Sequence, residues 1–118
     1  MITNFEEITA YLTPEEKELT LSIMQILMKL KKSKPMLSTE LVELINKKHF
    51  VNSTQKFTGV KLRKYCNYIR SKSLLPIIAT SNGYYVSYDK KEIALQIESL
   101  EQRSEAILNS VNGLKFYL

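Results

Sequence analysis

The residues best suited to chemistry lie in one short segment, KLRKYCNYIRSKS, Lys61 to Ser73. Lysine and arginine neutralise phosphates, and arginine and asparagine can also make paired hydrogen bonds to base edges. On a helix turning about 100° per residue, Lys64, Asn67 and Ser71 fall on one side, with Lys61 and Tyr68 on one flank and Arg63 and Arg70 on the other. None of these positions is a carboxylate. Such a face suits the major groove of double-stranded DNA, which is about as wide as one helix. Just ahead of it, Lys56 and Thr58 stand where that helix begins. A helix N-terminus attracts anions, so both are candidate phosphate binders; for Thr58 the competing role is helix capping. For the whole face the plain alternative is a solvated helix surface with no partner.

Other chemistries find little support in the residues. His49 is the only histidine and has no neighbouring ligand set, so neither a metal site nor a catalytic base is expected. Cys66, the single cysteine, falls on an apolar stripe and reads as a small core residue; one cysteine allows no internal disulfide, which fits a reducing compartment. Gly59, Gly83 and Gly113 are spaced too widely to form a phosphate-cradling loop. The reading is therefore a non-enzyme with no cofactor, no metal and no small-molecule ligand.

Charge is segregated along the 118 residues. Residues 1–28 carry five Glu against Lys17, a net of −4, and residues 73–118 carry a net of −1. Residues 29–72 hold twelve Lys or Arg against Glu40 and Glu43, a net of +10. A basic block of this kind raises the on-rate and affinity for polyanions. Attachment to an anionic membrane is disfavoured because the basic residues lie on a polar face without an insertion stripe of Phe or Trp. The longest apolar run, LLPIIA, is far short of the roughly 20 residues that span a bilayer. The start, MITNFEEITAY, is acidic and mixed, unlike a secretory signal, and a cytoplasmic location is expected.

The elements that must position these residues follow from period and punctuation. Thr13, Pro14 and Glu16 form a capping box with proline at the first helical position. Leu19, Ile23, Ile26, Leu27 and Leu30 then predict a first helix from about Pro14 to Lys32, stopped by Pro35. Ser38 is expected to cap a second helix with the stripe Leu41, Leu44 and Ile45. His49 to Phe57 reads as a loop. A third helix over about 58–73 carries the stripe Leu62, Tyr65, Cys66 and Ile69. Pro76 ends helical geometry, IIAT and YYVSY read as strands over 77–88, and Asn82-Gly83 predicts a type I′ turn between them. The turn, with Ser81 and Asn82, offers backbone and hydroxyl groups but no Lys or Arg. Strand alternation sends Tyr85 inward and Tyr84 outward. From Lys90 a last helix runs to about Asn112, with Gly113 as its stop. Ile93, Ile97, Leu100, Ser104, Ile107, Val111 and Leu114 recur at intervals of four and three, a heptad seam that either pairs two chains or packs on the first helix.

Three helices and a hairpin, with the third helix basic, is the order of a winged helix-turn-helix. The block KLRKYCNYIRSKSLLPIIATSNGYYVS also resembles the winged-helix domains of small phage and prophage DNA-binding proteins, and more distantly the DNA-binding domain of biotin-operon repressors. The shared pattern is Leu62-Arg63, Ile69-Arg70, Pro76-Ile77 and Gly83-Tyr84. The resemblance implies core roles for Leu62, Ile69, Ile77 and Tyr85, and a recognition role for the third helix. The family usually closes that helix with glycine, where this chain has Ser73, and the loop before it is long here.

The expectation is thus a mainly α chain with a small β-hairpin: an N-terminal extension over 1–12, a winged-helix domain over 13–88, and a C-terminal helix over 89–118. Its expected partner is duplex DNA, bound specifically or generally by a phage or prophage transcription regulator or replication accessory. The DNA-binding residues would be Lys56, Thr58, Lys61, Arg63, Lys64, Asn67, Tyr68, Ser71, Ser81 and Asn82. A homodimer would form through Ile93, Ile97, Leu100, Ile107 and Val111. The alternative is a winged-helix interaction module that holds an acidic protein partner without DNA.

Overall fold

The structure is a computed structural model that describes residues 12–118. The expected N-terminal extension therefore lies, Leu12 apart, outside the described residues. Among those residues the order is α1 (Pro14–Leu27), α2 (Ser38–His49), α3 (Gly59–Ser71), β1 (Ile77–Thr80), β2 (Gly83–Val86) and α4 (Lys90–Lys115). The chain is mainly helical with one two-stranded antiparallel hairpin. It divides into two compact units, one ending at Ser87 and the other Tyr88–Leu118. No described helix is long and apolar enough to cross a membrane.

In the first unit α2 packs on α3, and α1 meets β2. The capping box of α1 forms in both directions: Glu16 N–H donates to Thr13 Oγ1 at 3.1 Å, and Thr13 N–H donates to Glu16 Oε1 at 2.9 Å. The helix ends at Leu27, short of the expected Lys32. Its exit tightens, with Lys29 and Leu30 N–H donating to the Ile26 and Leu27 carbonyls. The sheet edge is what competes with further helix. Leu30 O accepts Val86 N–H at 3.3 Å, and Met36 exchanges two hydrogen bonds with Tyr84, at 3.1 and 2.7 Å. Leu30 is still buried, but in this connection and not on a helix. Lys31 to Lys34 loop out between the two anchor points and close on themselves through a bridge.

α2 begins one residue differently from expectation. Ser38 is its first helical residue, Leu37 occupies the cap, and Glu40 supplies half a capping box by accepting Leu37 N–H at 3.0 Å. α3 buries Leu62, Tyr65, Cys66 and Ile69, each no more than 2% exposed, as its stripe predicts. It closes with the paired bonds of a Schellman motif: Leu74 N–H donates to Ile69 O and Ser73 N–H to Arg70 O, both at 3.0 Å. That motif needs a left-handed residue, and Ser73 takes φ 55 where glycine is the usual occupant.

The hairpin register is Ile77↔Val86, Ile78↔Tyr85, Ala79↔Tyr84 and Thr80↔Gly83. The turn is therefore Ser81-Asn82, not Asn82-Gly83. Among the described residues only Ser73 and Gly83 have positive φ, so the expected type I′ turn does not form. Thr80 closes the turn instead, its hydroxyl accepting Asn82 N–H at 3.2 Å and lying 3.3 Å from Gly83 O. Gly83 is needed for a different reason: at φ +128 its missing Cβ would sit 2.6 Å from the backbone carbon and oxygen of Met36. Tyr85 points inward and is buried, while Tyr84 is half-buried.

In the second unit Asp89 caps α4 by accepting Lys91 N–H at 2.8 Å. The helix runs through Gly113, the expected stop, to Lys115, and none of its residues is buried.

Two substitutions should move stability in opposite directions. Ser73→Gly relieves the left-handed penalty and should stabilise by about 1 kcal/mol. Gly83→Ala adds strain and a backbone collision and should destabilise by about 2–3 kcal/mol. Urea unfolding midpoints at constant slope measure both.

Candidate nucleic-acid interface

The outward side of α3 is set by what the inward side buries. With the stripe of Leu62, Tyr65, Cys66 and Ile69 in the core, Val60, Arg63, Asn67 and Ser71 project away from it. Arg63 and Ser71 are exposed, whereas Lys61, Lys64, Asn67 and Tyr68 are half-buried. Ser71 Oγ donates to Tyr68 O at 2.9 Å and so lies along its own helix. Ser81 and Asn82 are exposed at the hairpin turn. Arg70 ties the two parts together, its Nε donating to Ile77 O at 3.0 Å. From that tie about 10 Å of strand leads to the turn.

The N-terminal half of the face differs from expectation because a neighbouring helix supplies carboxylates that a single-helix projection omits. Lys64 Nζ lies 3.0 and 3.3 Å from the two carboxylate oxygens of Glu16 in α1. Both side chains are only about a fifth exposed. Tyr65 donates its hydroxyl to Glu16 O at 2.8 Å. Lys61 leans the same way, lining a groove of about 420 Å³ with Glu15, Glu16 and Glu18 on one side and Phe50, Phe57 and Tyr65 on another. The face is thus basic at Arg63 and bordered by acid at Lys61 and Lys64.

The pKa shifts describe a structural knot. Burial disfavours the Glu16 carboxylate, but the Thr13 N–H and the Lys64 ammonium outweigh it and hold the carboxyl below its ordinary 4.5. Burial, reinforced by the Glu16 charge, pushes the Tyr65 phenol up to about 12. Burial likewise pushes the Cys66 thiol up to about 12 against the pull of Arg70, leaving an inert thiol. Among the described residues no three His, Cys, Asp or Glu side chains gather as a metal site needs.

Ahead of α3, Lys56 and Thr58 make contacts that build its approach. Lys56 Nζ donates to Phe50 O at 2.7 Å and reaches Val51 O at 3.4 Å, neutralising carbonyls at the exit of α2. Thr58 takes its capping role, Oγ1 accepting Lys61 N–H at 3.3 Å. Asn46 clamps the loop by bonding both the N–H and the carbonyl of Phe57, at 2.7 and 3.1 Å. Phe57 then lies between Phe50 and Tyr65, its ring tilted by 36° and 35° to theirs.

The fold therefore brings Arg63, Asn67 and Ser71 onto one outward side of α3, with Arg63 and Ser71 exposed and Asn67 half-buried, places Ser81 and Asn82 on a hairpin anchored to it, and gives Lys56, Thr58 and Lys64 structural contacts. Further cations stay exposed outside the expected set: Lys31, Lys32 and Lys34 on the looped connection, and Lys72 at the end of α3. The roles of Glu16 and Asn46 had no signal beyond a capping box and a polar residue in a helix.

Because Glu16 ionises more readily folded than unfolded, its contribution is present above its ordinary pKa of 4.5 and lost as pH falls through the lower folded value. Glu16→Gln should cost about 1–2 kcal/mol at neutral pH and lose less further stability on acidification than the parent chain, as read by urea unfolding at several pH values. No family model, no curated protein and no solved structure matches this chain, so its own residues carry the functional reading.

Proposed function

We propose that the unit ending at Ser87 is a winged helix-turn-helix that binds double-stranded DNA, with α3 as the recognition helix and the hairpin as the wing. The observation that carries this reading is the open face of Arg63, Asn67 and Ser71, on a helix tied by Arg70 to the hairpin that follows it. The net charge of +10 over residues 29–72 supports a polyanionic partner. The resemblance of residues 61–87 to small phage and prophage DNA-binding proteins points to a transcription regulator or a replication accessory.

In this reading the parts divide the work. Arg63 and Asn67 carry the groups that can bond base edges, and Ser71 can reach either base or phosphate. Ser81 and Asn82 meet the sugar-phosphate backbone beside the groove. The exposed lysines of the looped connection add sequence-independent attraction. Lys64 contributes field but little direct contact, because Glu16 of α1 pairs with it, and Lys61 borders the glutamates of the same groove. Lys56 and Thr58 hold the start of α3 in place.

Fluorescence anisotropy of labelled duplexes across a salt series tests the proposal. The logarithm of the binding constant should fall linearly with the logarithm of salt, by about 0.9 per phosphate contact. Arg63→Ala and Asn67→Ala should each weaken a preferred site by about 1–3 kcal/mol and relax its sequence preference. Lys31→Ala combined with Lys34→Ala should weaken all sequences alike and reduce the slope by about 2. Absence of binding at low salt, or a flat salt dependence, overturns the proposal and favours an interaction module for an acidic protein.

A further inference from the structure

α4 is a helix of 26 residues that buries none of them. Its seam from Ile93 to Leu114 alternates at four and three residues, and Ile97, Val111 and Leu114 are 52, 40 and 70% exposed. A helix lying on a globular core shows a broader stripe at the 3.6-residue period. Strict 3.5-residue spacing over three heptads instead matches a helix wound around another of its kind. Charge is consistent with a second copy as that partner. The helix carries four basic and four acidic residues, a net of zero, so two copies do not repel as two basic blocks would.

We infer that α4 pairs with α4 of a second copy of this chain as a parallel, in-register coiled coil. Orientation follows from the positions flanking the seam. In parallel register Gln96 faces Glu101 of the second copy and Arg103 faces Leu108, so no like charges meet. An antiparallel pair that sets Ser104 against Leu100 brings Arg103 near Arg103 and Glu101 near Glu101, which is unfavourable, and one that sets Ser104 against Ile107 leaves Ile93 opposite residue 118, beyond the end of the helix. Strand number follows from branching. Ile97 and Val111 at a with Leu100 and Leu114 at d favour two strands, against the pull of Ile93 and Ile107 at the other d positions toward more strands. Ser104, the one polar seam residue, sits at an a position between them and weakens the pair while marking its register. The pairing goes beyond DNA binding and does not depend on it.

Sedimentation equilibrium of the full chain at micromolar concentrations should give twice the 13.7 kDa chain mass. Leu100→Asp should return it to the chain mass, and Ser104→Ile should tighten the dimer at least tenfold. Since Cys66 is buried, the parent chain should form no disulfide on mild oxidation, whereas Ile97→Cys should cross-link to itself. Three results overturn the inference: a wild-type monomer throughout, a dimer that Leu100→Asp leaves intact, or a cross-link that forms only when Ile97→Cys is mixed with Ile107→Cys or with Leu114→Cys. The last would mean antiparallel pairing.

Discussion

The first unit turns on the two acceptor groups of Glu16. Its carboxylate closes the capping box of α1 and receives the Lys64 ammonium, while its backbone carbonyl receives the Tyr65 hydroxyl. Two successive residues of α3 are therefore docked against the first turn of α1. That fixes the rotation of α3 about its own axis, and with it which residues face out. With Tyr65 buried against α1, Arg63 and Asn67, each two residues from it, must point away, while Lys64 starts from their side and reaches Glu16 with its long side chain. A charge that the helix would otherwise offer to a ligand is used to orient the helix itself.

The hairpin depends on a close backbone approach of a different kind. Two strands of four residues are marginal by themselves. Here Tyr84 is paired on one side with Ala79 and on the other with Met36, and that outer pairing is possible because Gly83 leaves room for the Met36 carbonyl. With Arg70 holding Ile77 at the other end, the turn at Ser81-Asn82 is a fixed projection. A site made of one helix face and one turn needs both ties, because a contact surface is useful only when its parts are already in place.

Much of this could be read in the sequence, and the exceptions share a cause. The stripes of α1 and α3, the capping box, the two strands and the inward direction of Tyr85 all come from local period and local chemistry. α1 ends short of its apolar pattern because Leu30 continues that pattern while its backbone is captured by Val86, fifty-six residues later. The turn was shifted by one residue because Asn-Gly satisfies a local rule, whereas Gly83 answers to Met36 across the sheet. The pairing of Lys64 has no local signal, because its partner Glu16 lies forty-eight residues away in the chain. For Thr58 the capping alternative is the contact seen, and Lys56 bonds carbonyls at the exit of α2, a contact across the loop with no signal in the local sequence. Arg63, Asn67 and Ser71 lie on the side of α3 turned away from its buried stripe, as helical spacing alone predicts.

The most direct test of the account is a titration of the labelled protein with a duplex followed residue by residue in its amide NMR spectrum. Shifts should concentrate at residues 60–71 of α3 and at residues 80–83 of the hairpin, with little change at Glu15, Glu18 and His49 around the acidic groove. Shifts confined to that groove, or none at low salt, would contradict it.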